Sequence, residues 1–384
     1  MAGYTSLDDF INKTSALQQL KRLDWSKSML PTTSATAGEW SSLQRGAGNP
    51  TSDTLMNTGT NLLFQRVSDT VSGNGGIPHN GNVSPNYKNI INASAFSAAA
   101  TTMPAVAMLI DVIGFYRVTS VTVTGDQATT NTLSSLTTFT ANAGTDVCTH
   151  ASINLENLTR MQFTTTGTLP AGLSLATNYY AIYQTDLTME VASSYANAVA
   201  GTAIDITDAG TGTHTINTLY SRYTSGAGVQ TYAVNTNATA MGAATPNLQL
   251  TYTNSADTAG KITPATLPAC KTAAANGLIL YSGTGAGKYG PSVPLAAGDA
   301  GIRSIEQINL SATYLSGEFS QVVYKTICTL PMTTIGVAAE RDFINQVPSL
   351  PRIYDGACLV WLLYHGAATP TNSNFYGHID VGWG

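Results

Sequence analysis

Apolar and polar positions alternate over most of this chain in short runs, and turn residues separate the runs. From Ala107, MLIDVIGFYRVTSVTVTG is almost continuously apolar or β-branched before polar residues enter by alternation. That pattern predicts a long strand buried first on both faces and then on one. Further strands are predicted at Gln230–Val234, Leu248–Thr253, Gly277–Tyr281, Ile302–Leu315, Gln321–Leu330, Leu359–Tyr364 and Tyr376–Val381, with Gly-rich turns between nearly all of them. Helical spacing is confined to the start. Ser6 can cap, Asp8 and Asp9 suit the positive end of a helix dipole, and Phe10, Ile11, Leu17, Leu20 and Leu23 recur at three- and four-residue steps. A helix is therefore expected over 6–30, ending by Pro31, and one more helical turn over Val337–Asn345.

Residues 31–90 are rich in Gly, Pro and Asn, and a structureless loop of that length is unusual inside a compact domain. They read as an extended arm laid across a neighbouring surface, with Asn61–Val67 as one docked strand or turn. A second boundary lies further on. Asn131-Thr132-Leu133 and Asn217-Thr218-Leu219 repeat one tripeptide on either side of a Thr-, Tyr- and Gly-rich segment, which marks an insertion. The expected organisation is a helix and assembly arm over 1–90, a discontinuous β host over 91–133 plus 220–384, and an inserted β domain over 134–219. The fold class is all-β, with a host of the jelly-roll or β-sandwich kind.

Composition changes the picture in one respect. Only 10% of residues are charged while 43% are hydrophobic, against roughly 25% charged in an ordinary soluble domain. The surface must be covered by Thr, Ser, Asn, Gln and Gly. Burying such a coat costs less than burying Lys or Glu, which suits a protein packed against copies of itself. With 17 Lys and Arg against 22 Asp and Glu, net charge −5, and no basic run, the chain has no electrostatic footprint for nucleic acid. The first residues lack the features of a signal peptide, and no apolar run is long enough for a membrane helix.

Candidate chemistry is sparse. Cys148, Cys270, Cys328 and Cys358 are widely spaced and read as buried small hydrophobes, without zinc-ligand spacing. The stretch Gly277–Tyr289 ends in Gly-Lys, but Ser282 stands where a phosphate-cradling loop needs its first glycine and Tyr289 where it needs Ser or Thr, so a hairpin turn is expected. His365 and His378 could meet across a hairpin near Asp380 as a metal or acid–base pair, but two cross-strand rim residues are the favoured reading. Asp355, Asp380 and Glu318 are carboxylates that a glycoside hydrolase could pair, although no local signature singles them out. No catalytic, cofactor or metal constellation emerges, and no enzyme is expected. Tyrosine is the common aromatic, 18 copies against 9 Phe and 4 Trp. Tyr179, Tyr180, Tyr183 and Tyr195 cluster in the insert, either as an exposed binding surface for sugars or proteins or as cross-strand packing.

Two signatures of the insert, LPAGLSLATNYYAIYQ and YANAVAGTAIDITDAGTGTHTI, resemble an Ig-like β-sandwich module of tailed-bacteriophage virion proteins. The flanks GLILYSGTGAGKYGPSVPLAAGDAGIRS and GVAAERDFINQVPSLPRIYDGACLVWLLYHG look like phage structural proteins. The resemblance implies a virion component assembled in a bacterial cytoplasm. Its partners would be copies of itself, as a homotrimer, and other virion proteins such as the major capsid protein. A capsid decoration or cement role is expected first. A tail-fibre or baseplate adhesin binding host surface glycans is the alternative, and a glycan-degrading enzyme comes third.

Overall fold

In a computed structural model, the described residues are 4–29, 34–79, 81–98, 105–119, 124–237, 239, 241–242, 246–264, 276–280, 290–346 and 349–384. The chain is mostly β, in curled antiparallel sheets, with a short N-terminal helix. That helix spans only Leu7–Ile11; Ser6 Oγ accepts from Asp9 N–H at its start, and one π turn, Asn12–Ala16, follows. The expected helix over 6–30 therefore ends early. From Leu20 to Ser28 the chain is a strand whose inward positions are Leu23, Trp25 and Lys27. The period-2 set was masked because one of its members is a lysine, buried with its Nζ donating to Gly46 O and Thr51 O at 3.1 Å each.

Two large sheets make the host core. The terminal sheet runs in the order Ala339–Asp342, Lys88–Ser97, Asn374–Trp383, Leu20–Ser28, Ala47–Asn49, and Arg352–Ile353 also pairs with Lys88–Ser97. The central sheet runs Val229–Asn235, Phe319–Pro331, Val106–Val118, Leu359–His365, Glu39–Ser42, with Phe64–Arg66 added to Val106–Val118. Among the described residues Val106–Val118, nearly all buried, is the longest strand together with Phe319–Pro331. The sheets meet where Trp25 packs on Trp361, ring centroids 5.5 Å apart. A smaller sheet of Lys261–Ile262, Leu248–Asn254, Ile302–Leu310 and Gly125–Ala128 joins the same core.

Three expectations change here. Residues 34–90, expected as an arm over a neighbour, instead supply strands to both large sheets and bury Leu43, Met56, Phe64, Val67 and Ile77 in the chain's own core. The turn expected at Val337–Asn345 is a strand, Ala339–Asp342, followed by a turn in which the Asp342 carboxylate accepts from Ile344 N–H and Asn345 N–H. Finally, Leu359–His365 and Asn374–Trp383 do not pair with each other. The connection between them crosses from the central to the terminal sheet, because each strand's apolar face is claimed by the core between the sheets. Gly277 to Leu280 makes isolated bridges with Ser41 and Val234, and residues 281–289 of the Gly-Lys stretch lie outside the described residues.

Inside the sequence of the host, Ser134–Asn142, Val147–His150, Arg160–Thr165, Tyr179–Thr185, Thr188–Ala192 and His214–Thr218 close into a six-stranded barrel. Its core, which includes Phe139, Met161, Phe163, Tyr179, Val191 and Ile216, is separate from the host core. The incoming and outgoing strands are neighbours, with Ser134 opposite Thr218. The repeated tripeptides divide the two cores: Leu133 and Leu219 pack on the host core. Their asparagines do different work. Asn131 accepts from Tyr116 Oη (2.7 Å) and donates to Ile305 O (2.8 Å) in the host, whereas Asn217 donates to Thr164 Oγ1 (3.1 Å) within the barrel.

Candidate functional site

The tyrosines of the insert fall on the seam between barrel and host. Strand alternation sends Tyr179 into the barrel, where it packs on Phe163 (5.3 Å) and its Oη accepts from Ser174 N–H at 2.8 Å. Tyr180 points the other way and donates to Asp257 of the host. Tyr183 is exposed, and its Oη donates to Asp186 at 2.7 Å; Tyr87 of the host donates to the same carboxylate. Tyr195, half-buried at the start of the helix Tyr195–Ala200, lies edge-on to Tyr180 (6.0 Å) and beneath Arg303 (5.8 Å). The four therefore form no single exposed patch: two are buried, and three reach toward or bridge to the host.

Asp257 is the hub of one half of the seam. Held at a left-handed turn, φ 59°, it takes Arg160 of the barrel at 3.2 Å and Arg303 of the host at 3.3 Å besides Tyr180. Arg303 also donates to Leu158 O in the barrel and Ser255 O in the host, 2.9 Å each. Burial, reinforced by the hydrogen bond to Asp257, pushes the Tyr180 hydroxyl up to about 12; burial and Asp186 do the same for Tyr87. Both phenols thus remain donors at any ordinary pH.

The other half is built on Arg352 and Glu156. The Arg352 guanidinium lies between the rings of Tyr87 (3.9 Å) and Tyr354 (4.2 Å) and donates to Ile153 O at 2.9 Å. A guanidinium stacked on both faces is rigid, and cation–π attraction adds to its single direct bond. Glu156 of the insert accepts from Tyr354 Oη (2.9 Å), Ser225 N–H (3.1 Å) and Ser225 Oγ (2.5 Å). These groups line a cleft of about 280 Å³ with Tyr223 and Lys325. Burial lowers the Lys325 ammonium, whose Nζ donates to Ala227 O at 2.7 Å. At the root of the barrel Arg66 ties both connecting segments at once, donating to Ser134 O, Ser135 O, Thr218 O and Leu219 O. Chemically the seam is a fastening, in which Arg66, Arg160, Arg303, Arg352 and Lys325 are each engaged by a carboxylate or carbonyl of the chain.

The residues suspected of acid–base or metal chemistry are distributed elsewhere. His365 is buried between Ser41 Oγ and Thr369 Oγ1, 2.8 Å from each, while His378 lies on the terminal sheet beside Ser94 Oγ (2.8 Å) and Asp380 (3.8 Å), so the two histidines do not meet. Asp355, Asp380 and Glu318 sit in three separate ion pairs, with Lys88 (3.4 Å), Arg22 (2.8 Å) and Arg117 (2.9 Å). Among the described residues no group of three or more His, Cys, Asp or Glu is placed to hold a metal ion. Cys148, Cys328 and Cys358 are buried free thiols, and burial pushes each up; Cys270 lies outside the described residues.

Sequence reasoning did not find Asp257, Asp186, Glu156, Arg66, Arg303 or Arg352. A signal was present in the composition. Where only 10% of positions are charged, an arginine or aspartate in an otherwise Thr- and Tyr-rich run stands out as a candidate for a specific pairing. No protein-family model matches the chain, and no curated protein or solved structure matches it.

Proposed function

We propose that this protein is a structural component of a tailed-bacteriophage virion, a capsid-associated decoration protein assembling as a homotrimer on the major capsid protein. In this reading the host is an assembly body of the jelly-roll or sandwich kind, and the insert, a closed six-stranded barrel where an Ig-like sandwich was expected, is a module held outward. The observation that carries it is the seam: a barrel with its own core is bolted to the host through Asp257, Arg303, Arg352 and Arg66 instead of hanging on a flexible tether. A rigid appendage on a charge-poor body suits a particle surface. The resemblance of the insert and flanks to virion proteins supports the same class.

The adhesin alternative, with the insert's tyrosines against host glycans, loses its patch, since Tyr179 and Tyr180 are buried. The hydrolase reading has only carboxylates that are each engaged by their own cation. The test is to purify intact particles, quantify this chain per particle, and place it by cryo-electron microscopy. Copies in the hundreds on the head are expected; absence from particles, or a handful of copies at the tail tip, would overturn the decoration role. Sedimentation of the isolated protein should give three times the 40.1 kDa chain mass.

A further inference from the structure

The outer face of the terminal sheet carries a cleft that the seam does not use. In the strand pairs, Asp24 lies opposite His378, Ser26 opposite Tyr376, and Tyr376 opposite Phe96. Side chains on alternate residues of paired strands share one face, so these groups form two adjacent rows across the sheet. Phe96 and Tyr376 stack, centroids 5.4 Å apart and planes inclined by 24°, and both remain half-buried instead of joining the core. Asp24 and Asn49 are exposed beside them. The cleft they enclose has a volume of about 330 Å³, at the small end of the range of ligand sites.

The floor and one wall of the cleft are held in place by packing and hydrogen bonding. Trp25 and Gly377, directly opposite each other in the strand pair, form the floor of the cleft, and the Trp25 indole itself packs on the inner face against Trp361. Glycine is required beneath this floor, since a Cβ at Gly377 would stand 2.8 Å from the Trp25 ring and 2.0 Å from Ser94 O. The His378 ring is fixed by Ser94, whose Oγ contacts Nδ1 at 2.8 Å and accepts from the His378 N–H at 3.1 Å.

We propose that this cleft binds a neutral glycan, one sugar ring lying with its C–H face on the Tyr376–Phe96 stack and its hydroxyls on Asp24, Asn49 and Ser26. An aromatic face offers sugars apolar contact with little side-chain entropy to lose, and a carboxylate and an amide supply the acceptors and donors that vicinal hydroxyls require. The charge on this face selects against acidic sugars. Arg22, the cation of the neighbouring row, is held in a bidentate pair by Asp380 at 2.8 Å for both bonds, which leaves Asp24 to repel an anion. The site stands independently of the virion reading.

The test is calorimetric titration of the full chain with neutral oligosaccharides of glucose, mannose and N-acetylglucosamine, and with a polyuronate. The variants are Tyr376→Ala, Asp24→Asn and, on the barrel, Tyr183→Ala. At least one neutral oligosaccharide should bind, about tenfold or more weaker in Tyr376→Ala and Asp24→Asn, unchanged in Tyr183→Ala, with circular dichroism unaltered in all three. Binding to none of the neutral sugars, tighter binding of the polyuronate, or affinity that survives both cleft substitutions would overturn the proposal. None of those results bears on where the protein sits in a particle.

Discussion

Arg222 and Asp111 are both fully buried, and their pairing shows what a charge does in this chain. Arg222 Nε donates to Asp111 Oδ2 (2.7 Å) and Nη2 to Oδ1 (2.5 Å), while its remaining donors reach Val67 O and Val112 O. Asp111 also accepts from Cys358 N–H at 2.8 Å, so one pair joins three segments of the central sheet. Removing one partner strands the other in the core, at a cost of about 3–5 kcal/mol. Asp111→Ala is expected to lose that much in urea unfolding followed by tryptophan fluorescence. A second residue-scale prediction concerns acid. Burial lowers His365 to about 3, and burial also lowers His79 and His150. A histidine kept neutral in the fold has a folded pKa below its unfolded value of about 6.5. Stability is therefore complete above that value and falls as pH drops from there toward about 3, by up to about 1.4 kcal/mol per pH unit for each such group. Urea midpoints measured between pH 7 and 4 should decline, and His365→Gln should flatten the decline; an NMR titration showing the His365 ring protonated at pH 6 would refute this.

At the scale of elements, the strand Leu20–Ser28 and the root of the barrel are the instructive cases. The first shows a helix-like spacing of leucines overridden by pairing, because Leu23 and Trp25 gain a core only as part of the terminal sheet. The second hangs on Arg66, whose guanidinium satisfies carbonyls of both connecting segments. Arg66→Met leaves those carbonyls without their donor, at about 1–3 kcal/mol. Amide exchange is expected to quicken at Ser134, Ser135, Thr218 and Leu219, with slow exchange preserved in the barrel core at Phe163 and Val191. Uniform acceleration throughout the barrel would mean that its core depends on the host.

For the whole molecule the separate cores make the strongest prediction. Ser134 and Thr218 are paired neighbours, so removing 134–218 and joining Leu133 to Leu219 closes the host over a short gap. All four tryptophans, Trp25, Trp40, Trp361 and Trp383, belong to the host, and their fluorescence reports it alone. The deleted protein should retain one cooperative tryptophan transition, although Asp257, Arg303 and Tyr354 lose seam partners. Loss of that transition would show that the host cannot fold without its insert.

Much of the architecture was legible along the chain. β-branched runs broken by Gly and Asn place Val106–Val118, Val229–Asn235, Leu248–Asn254, Ile302–Leu310, Phe319–Pro331, Leu359–His365 and Asn374–Trp383 within a few residues of where they lie, since local alternation and turn chemistry are properties of neighbouring residues. Leu20–Ser28, Glu39–Ser42, Lys88–Ser97 and Ala339–Asp342 carry no such pattern. The Leu133 and Leu219 tripeptides bracket the barrel because each leucine packs on the host at a junction. What the sequence could not convey was partnership. That Leu359–His365 and Asn374–Trp383 belong to different sheets, that 34–90 fills its own core, and that Tyr180, Arg303 and Asp257 converge from distant positions are outcomes of long-range pairing. An isolated tyrosine or aspartate carries no sign of which remote group will face it, so its role as surface or fastening is settled only when the two cores pack side by side.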